Sequence, residues 1–347
     1  MPESAPMITA KALGSMPQFS LEACGQKPLE RALHRAGLPH RFIYSREGYI
    51  SKHALATFIQ EIGRSAGEDN IGLFWAPYLT VADYGTWGAY VLSAPNLGAA
   101  LTRTARAIAY HSSADRIEFC TRGTFAWYGY RFGLRRHEAY SDIAFSAVGV
   151  FLSVFRRYLG EAWVPEGLLM DTAKPSGRTR ADEVFGCPVY WDQPALGIVF
   201  SSELLAMPAT RTGPTVTIED VARERAGGPP RTLSDKVETV IRLHLQEGIP
   251  SVERTAKSLD IGVRSLQREL TQEGYRYRDI VNKSRVERAK ELLRHGGEPI
   301  SAIAFDLGYS TANNFSRAFK SLTGISPSEY AYSEQAMSLE PDGRPFR

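Results

Sequence analysis

The chain has 347 residues, and at about 150 residues per domain this length predicts two domains. Hydrophobic residues make up 43% and charged residues 23% of the sequence, which argues against a disordered chain, a collagen or a coiled-coil rod. The formal net charge of +3 is too small for a protein that coats nucleic acid unselectively, so any nucleic-acid function depends on where the charges lie.

The sequence has no segment typical of a membrane span or of an export signal. Its longest apolar run, residues 143–155, is shorter than the roughly 20 residues that cross a bilayer. Three cysteines, Cys24, Cys120 and Cys187, are too scattered for a disulfide framework and are expected to be packing residues. We therefore expect a cytoplasmic protein without a membrane partner, a bound metal or a cofactor.

Three segments in the first 200 residues have helical patterns. Apolar side chains recur three and four residues apart in residues 51–65 and again in residues 96–110, where Asn96 is the predicted cap. A longer helix is predicted over residues 138–160 and is apolar nearly all round, as is typical of a helix covered on both sides. We expect it to be the central helix of its domain.

Strand patterns lie between and after these helices. Residues 116–132 alternate polar and apolar side chains in the manner of a hairpin. Residues 189–191 and 197–200 are further strand candidates. One face of the hairpin is predicted to carry Tyr128, Tyr130 and Phe132. Helices and strands together predict an α+β fold for this part of the chain.

Proline and glycine mark the end of the α+β part. Pro208, Pro214 and the run at residues 227–230 interrupt any long helix or strand, which predicts a linker. Residues 276–290, beyond it, are locally basic. The predicted segments are a flexible N-terminus at 1–27, an α+β domain at 28–208, a linker at 209–231, an all-α domain at 232–334 and a flexible tail at 335–347.

Two segments of the all-α part, residues 251–274 and 300–324, repeat one pattern. Each predicts a short amphipathic helix, a tight turn and a second helix, which is a helix-turn-helix unit. The copies align with one extra residue near the turn of the second. The aligned pairs are Ala256 with Ala304, Leu259 with Leu307, Leu266 with Phe315, Arg268 with Arg317 and Leu270 with Phe319.

The second helix of each copy presents polar side chains opposite its apolar side. Arg264 and Arg268, two residues before and after Leu266, point about 160–200° away from the core. Arginine can donate to guanine O6 and N7, and asparagine can bridge adenine N6 and N7. The predicted DNA contacts are Arg264, Ser265, Gln267, Arg268, Thr311, Asn313, Asn314, Ser316 and Arg317.

The segment between the two copies, residues 277–293, predicts a helix about 25 Å long. Successive major-groove faces on one side of B-DNA lie about 34 Å apart, so one monomer is expected to enter neighbouring turns and to bend the DNA modestly. The alternative is a helical bundle with no DNA-binding role. Two matched copies with Arg or Asn at equivalent exposed positions favour DNA binding.

At these residues the sequence resembles the AraC-type (AraC/XylS) transcriptional regulators. The matching phrases within residues 231–334 are LQREL, RVERAKELL, IAFDLGYS, FSRAFK and GISPSEY. The resemblance implies double-stranded promoter DNA and RNA polymerase as partners, and activation rather than repression. Two positions depart from the pattern: Gly262 stands where a capping serine is common, and Ala331 where an arginine often follows the tyrosine.

Residues 29–208 look like the arabinose-binding-type sensor domain of a subgroup of these regulators, in phrases such as NIGLFWAPYLTVADYGTW and VFGCPVYWDQPALGIVF. The resemblance implies a small-molecule effector and a homodimer. Aromatic walls with few polar groups are typical of ligand pockets, although core packing explains such aromatics equally well. The candidate ligand residues are Trp127, Tyr128, Tyr130, Arg131 and Trp191.

The sequence has no glycine-rich phosphate loop, HExxH pair, nucleophile elbow or CxxC pair, so an enzyme is not predicted. One alternative is a DNA-targeted enzyme, like the DNA-repair methyltransferases with a similar binding domain. Those enzymes need a cysteine cluster that the three scattered cysteines do not supply. A second alternative keeps the DNA binding and gives the N-terminal domain a dimerisation role without a ligand.

Overall fold

Residues 5–175, 180–210, 214–245 and 247–338 are described by a computed structural model. The chain divides into two units, and the first gives way to the second between Arg231 and Thr232. Within the described ranges, no helix combines the length and the hydrophobicity that spanning a membrane requires.

The N-terminal unit alternates helices with short strands. Its strands are β1 (Met7–Thr9), β2 (Tyr49–Ser51), β3 (Arg116–Arg122), β4 (Phe125–Arg131), β5 (Gly167–Leu169), β6 (Val189–Tyr190) and β7 (Leu196–Ser201). Its helices are α1 (Met16–Cys24), α2 (Gln26–Ala36), α3 (Lys52–Ala66), α4 (Ile71–Trp75), α5 (Thr86–Leu92), α6 (Leu97–His111), α7 (Tyr140–Leu159), α8 (Ala181–Phe185) and α9 (Ile218–Glu224). The α+β prediction is confirmed.

The larger sheet has the strand order β3-β4-β7-β5-β6 among the described residues. The β3–β4 hairpin is antiparallel, as predicted, and β4 continues antiparallel onto β7. Side chains alternate between the two faces of a strand, so Tyr128 and Tyr130 share the buried face of β4. Phe132 follows on the same side and is also buried, as the sequence pattern predicted.

Helix α7 is the predicted central helix. It lies against the buried face of the sheet, where the rings of Tyr128 and Phe151 meet edge to face with centroids 5.2 Å apart. On another side its backbone approaches α4 so closely that a Cβ on Gly72 would lie 2.0 Å from the Asp142 carbonyl oxygen. A Cβ on Gly149 of α7 would lie 2.1 Å from a carbonyl oxygen of the neighbouring turn. The helix is covered on both sides, which explains its apolar sequence.

The two other predicted helices are α3 and α6; both are capped by a side chain, and Asn96 is the cap that the sequence predicted. The Ser51 hydroxyl accepts a hydrogen bond from the Ala54 amide at 3.0 Å at the start of α3. The Asn96 side chain accepts one from the Ala99 amide at 2.8 Å at the start of α6. Each cap satisfies an amide that would otherwise have no partner inside the helix.

The flexible N-terminus predicted for residues 1–27 is a wrong prediction for residues 7–27, which contain β1, α1 and the start of α2. Strand β1 pairs antiparallel with β2, and the side chains of Met7 and Leu13 are fully buried. A three-residue strand and a helix with Pro17 in its first turn are too short to give a periodic pattern. Residues 1–4 of the predicted segment lie outside the described residues.

The linker predicted for residues 209–231 also needs correction, because it contains helix α9. The Thr217 hydroxyl accepts from the Asp220 amide at 3.2 Å, and the Asp220 carboxylate accepts from the Thr217 amide at 3.0 Å, which forms a capping box. Val221 is fully buried. The helix therefore belongs to the N-terminal unit, while residues 211–213 lie outside the described residues.

The C-terminal unit is helical throughout its described residues. Its helices are α10 (Leu233–His244), α11 (Val252–Ser258), α12 (Val263–Gln272), α13 (Tyr277–His295), α14 (Ile300–Asp306), α15 (Ala312–Thr323) and α16 (Pro327–Ser338). Helix α16 takes up the first four residues of the predicted flexible tail, 335–347, so that prediction is wrong for them. Residues 339–347 lie outside the described residues.

Candidate nucleic-acid interface

The two helical hairpins of the C-terminal unit, α11–α12 and α14–α15, turn in the same way. Asp260 and Gly308 occupy equivalent positions after the first helix, and both have a left-handed φ, of 54° and 75°. Each turn is closed by an amide that donates to the carbonyl of the aligned alanine, at 3.0 Å from Ile261 to Ala256 and at 2.9 Å from Tyr309 to Ala304. The repeat predicted from the sequence is therefore a repeat of backbone geometry.

The extra residue of the second copy lies in its turn, as the alignment placed it. Helix α12 begins after Gly262, which offers no side chain as a cap. Helix α15 begins after Thr311, one aligned position later, and the Thr311 hydroxyl accepts from the Asn314 amide at 3.2 Å. Thr311, a predicted DNA contact, thus also holds the first turn of its helix.

The buried side of each second helix consists of two apolar residues four apart. Leu266 and Leu270 are buried in α12, and Phe315 and Phe319 are buried in α15 with ring centroids 5.7 Å apart. The opposite side is accessible to a duplex. The predicted contacts that are exposed are Arg264, Gln267, Arg268, Thr311, Asn313 and Arg317, and those that are half-buried are Ser265, Asn314 and Ser316.

Two of the predicted contacts are already oriented by a hydrogen-bond chain. The Arg317 guanidinium donates to the Asn314 amide oxygen at 2.5 Å, and the Asn314 amide nitrogen donates to the Ser310 hydroxyl at 3.0 Å. By contrast, Arg268 lies 3.8 Å from the Glu269 carboxylate, an exposed ion pair of little energetic consequence. Arg317 is therefore the better ordered of the two aligned arginines.

Helix α13 connects the two hairpins and is longer than predicted. Its 19 residues span about 28 Å, whereas the sequence pattern gave residues 277–293 and about 25 Å. Ile280, Val281 and Ala289 are buried along one side. In the core beneath the second hairpin, α13 packs against residues of α14 and α15. The prediction of a helical spacer is confirmed.

A basic groove of about 830 Å³ runs between α13 and the second hairpin. Arg278 and Arg285 of α13 line it together with Arg317. The Arg285 guanidinium lies 4.7 Å from the centroid of the Tyr309 ring and donates to the Gly308 carbonyl at 3.4 Å. Burial lowers the pKa of Arg285, but a guanidinium stays charged at neutral pH. Three cations that line one groove beside a candidate recognition helix suit the phosphate backbone of DNA.

Arg278 and Arg285 are not among the DNA contacts that the sequence predicts. The locally basic stretch at residues 276–290 was the available signal. It did not single out these two arginines, because their role depends on the approach of the second hairpin to α13.

The five candidate ligand residues of the N-terminal unit do not come together in one pocket. Trp127 and Arg131 lie on the face of β4 opposite to Tyr128 and Tyr130, and the Arg131 guanidinium pairs with the Glu118 carboxylate at 2.9 Å. Trp191 lies beyond β6 and packs edge to face on Phe145 at a centroid distance of 6.1 Å.

The two buried tyrosines of that set have partners for their hydroxyls. Tyr128 shares a hydrogen bond of 2.7 Å with the Thr104 hydroxyl, and Tyr130 donates to the Asp115 carboxylate at 2.7 Å. Tyr130 also lines two adjoining cavities, and none of the other four candidates lines either of them.

The cysteines differ from one another in their surroundings. Cys187 is buried, Cys24 is half-buried and Cys120 is exposed on β3. The expectation of packing residues is therefore wrong for Cys120, since no other described residues cover its side of β3.

Comparisons with known proteins cover both units. Residues 28–209 match the family model described as the arabinose-binding domain of AraC transcription regulator, N-terminal, and residues 255–332 match a helix-turn-helix domain model. The chain is 28% identical over 273 residues to the ornithine utilization regulator of Pseudomonas aeruginosa. The aligned residues cover 76% of this chain and 79% of that protein.

Two further proteins are similar over most of their length. The chain is 27% identical over 309 residues to the HTH-type transcriptional regulator VirS of Mycobacterium tuberculosis. The aligned residues cover 86% of this chain and 89% of that protein. Among solved structures, the transcriptional regulator CdpR from Pseudomonas aeruginosa aligns with 88% of this chain and 97% of its own, at 24% identity and a TM-score of 0.39.

Proposed function

The chain belongs to the AraC family of DNA-binding transcriptional regulators, and we propose that both helix-turn-helix hairpins of one monomer bind promoter DNA in adjacent turns, under the control of a small-molecule effector held by the N-terminal unit. The relatives are named as transcriptional regulators, and the family is not an enzymatic one, which removes the alternative of a DNA-targeted enzyme.

The observation that carries the proposal is the matched geometry of the hairpins. Aligned turns place Arg268 and Arg317 at equivalent exposed positions of α12 and α15. Arginine at such a position can form two hydrogen bonds to guanine in the major groove. Because the hairpins repeat one geometry, each is suited to enter a groove in the same way.

The length of α13 supports the occupation of adjacent turns. It spans about 28 Å, while neighbouring major-groove faces lie about 34 Å apart on straight B-DNA. The difference favours a modest bend toward the protein, which brings the two faces closer. Arg278 and Arg285, beside the second hairpin, supply charge for the phosphates between them.

Substitution of the aligned arginines tests this assignment. We expect Arg268→Ala and Arg317→Ala each to weaken binding to a selected operator by about 1–3 kcal/mol in a mobility-shift titration. Arg242→Ala, an exposed arginine of α10 paired with Glu291 at 3.4 Å, is the matched control and should retain the wild-type affinity. Equal affinities for the wild type and both aligned variants would contradict the assignment.

The resemblance to the AraC-type regulators supports finer statements about the whole protein. We propose that it acts in the cytoplasm as an activator, that it contacts RNA polymerase, and that it forms a homodimer. A reporter fused to the target promoter, in cells with and without the gene, tests whether the protein activates or represses. Lower reporter expression without the protein supports activation, and higher expression contradicts it. Analytical ultracentrifugation of the full chain tests the dimer.

A further inference from the structure

Two cavities adjoin in the interior of the N-terminal unit, between α6, α7 and β4. Each has a volume of about 40 Å³. One extends toward Trp87 and Phe151, and the other extends toward Leu55 and Phe132. The residues that line both are Tyr84, His111, Tyr130, Ala147 and Val150.

Two polar side chains in the walls have unmet hydrogen-bonding capacity. His111 and Ser146 are 6% and 4% exposed, and neither His111 Nδ1 nor Ser146 Oγ has a hydrogen-bond partner among the described residues. Burial lowers the pKa of His111 to about 3, so the imidazole is neutral and can offer one donor and one acceptor. Buried polar groups of native proteins are rarely left without a partner, so both point to a missing one.

The rest of the lining is uncharged. The Tyr130 hydroxyl donates to the Asp115 carboxylate at 2.7 Å, and the Trp87 indole N–H donates to the Ala107 carbonyl at 2.9 Å. Among the described residues no acidic or basic side chain other than the neutral His111 lines either cavity. A charged ligand would lose its hydration in these cavities, and no charged side chain in the lining would offset that free-energy cost.

We propose that the two cavities are the halves of one effector pocket, and that its ligand is a small uncharged molecule with an aromatic or short aliphatic body and one hydroxyl or amide group that bonds to His111 and Ser146. This inference rests on the proposed sensing function of the N-terminal unit. A dry cavity of about 150 Å³ holds benzene, so a ligand with a ring must merge the two spaces by displacing the side chains between them.

The pocket is connected to helix α9 through Tyr84. The Tyr84 ring stacks on the His111 ring with centroids 5.0 Å apart, and the Tyr84 carbonyl accepts a hydrogen bond from the Arg225 guanidinium at 2.7 Å. Arg225 ends α9, and the preceding Glu224 accepts from the Thr86 amide at 3.0 Å. A ligand that displaces Tyr84 therefore loosens the anchor of the segment that leads to Thr232 and the C-terminal unit.

Phenol, with benzoate and benzylamine as charged controls, is the probe for the full-length protein. At 10 mM, phenol is expected to raise the melting temperature by about 2 °C or more, and the charged analogues are expected to leave it unchanged. Ala147→Leu fills both cavities and should abolish the shift. Ser146→Ala should weaken phenol binding at least threefold in calorimetry, while Ser141→Ala, on the same helix outside both cavities, should not.

Hydrogen exchange of the α9 peptide tests the connection. Phenol should speed exchange there at least threefold in the wild type, and Arg225→Lys, which lacks the forked guanidinium, should reduce this response. Exchange at α9 that is the same with and without phenol would contradict the connection.

Equal phenol shifts in the wild type and Ala147→Leu would overturn the pocket. The absence of any phenol shift in the wild type would also overturn it, and a higher melting temperature for unliganded Ala147→Leu would then identify the cavities as packing voids. Operator binding by the same wild-type preparation separates this failure from failure of the proposed function: bound operator without phenol binding refutes the pocket alone.

Discussion

Asp142, in the first turn of α7, has a half-buried side chain. Burial raises its pKa to about 6, although the carboxylate accepts a hydrogen bond from the Gly72 amide at 2.9 Å. The folded state therefore favours the protonated form. As the pH rises from about 4 to 6, the unfolded chain releases the proton first, so the free energy of unfolding falls, and above pH 6 the loss is complete.

Asp142→Asn should remove this pH dependence, because the amide oxygen can still accept from Gly72 and carries no charge. We expect the variant to be more stable than the wild type by about 1–3 kcal/mol at pH 7.5 and equally stable at pH 4. Urea unfolding at the two pH values measures the difference. If the variant is less stable than the wild type at pH 7.5, the ionised Asp142 carboxylate stabilises the folded state, which contradicts this account.

Asp115 is buried in an ion pair with Lys52, and the Lys52 ammonium lies 4.4 Å from the centroid of the Phe132 ring. The carboxylate also accepts from the Gly133 amide at 2.9 Å. Asp115→Asn removes the negative charge beside the buried Lys52 ammonium, so we expect a loss of about 3–5 kcal/mol in the free energy of unfolding.

Lys52→Met combined with Asp115→Asn should restore most of that loss, because the buried positive charge is removed with the negative one while the amide oxygen at position 115 still accepts from Tyr130 and Gly133. Chemical denaturation of the three proteins measures both effects. A double variant as unstable as the single one would mean that the ion pair itself contributes the stability.

Single residues also show where sequence reasoning ends. The exposure of Arg264, Arg268 and Arg317 follows from helical periodicity around one buried position, so it was predictable. His111 and Ser146 have no such signal in the sequence. Their importance comes from missing partners, which only the packing of α6 against α7 determines.

At the scale of the element, the cap of α15 is Thr311, which is also a predicted DNA contact. The Thr311 hydroxyl satisfies the Asn314 amide, so Thr311→Ala should lower the free energy of unfolding by about 1 kcal/mol. Thr271→Ala is the control, since the Thr271 hydroxyl donates to the Gln267 carbonyl in the last turn of α12 and caps no amide. Thermal unfolding followed by circular dichroism measures both variants, and equal midpoints would contradict the role of Thr311 as a cap.

Long elements were predictable and short ones were not. Helices α3, α6, α7 and α13 have two or more apolar turns in register, which produces a strong periodic signal. Helix α9 has only seven residues, and the prolines and glycines around it predict a linker. Its capping box, from Thr217 to Asp220, was the signal that could have revealed it.

At the scale of the whole molecule, the two helix-turn-helix units were predictable because they are a repeat. Because the pattern occurs twice, each copy supports the interpretation of the other. Both turns have a residue with left-handed φ, at Asp260 and at Gly308. The effector pocket was not predictable, because its walls come from residues far apart in the chain, from Ile8 to Val154. Aromatic composition pointed to five residues, of which Tyr130 alone lines the cavities.

The central claim is that one chain reads two half-sites through hairpins held apart by α13. Operators selected with the full-length protein permit a direct measurement: insertion of 5 base pairs between the half-sites, followed by titration. The second half-site then faces the opposite side of the duplex, and the affinity should fall to that of a single half-site. A 10-base-pair insertion should not restore it, because a helix of about 28 Å does not reach a further turn. Unchanged affinity after the 5-base-pair insertion would contradict the claim.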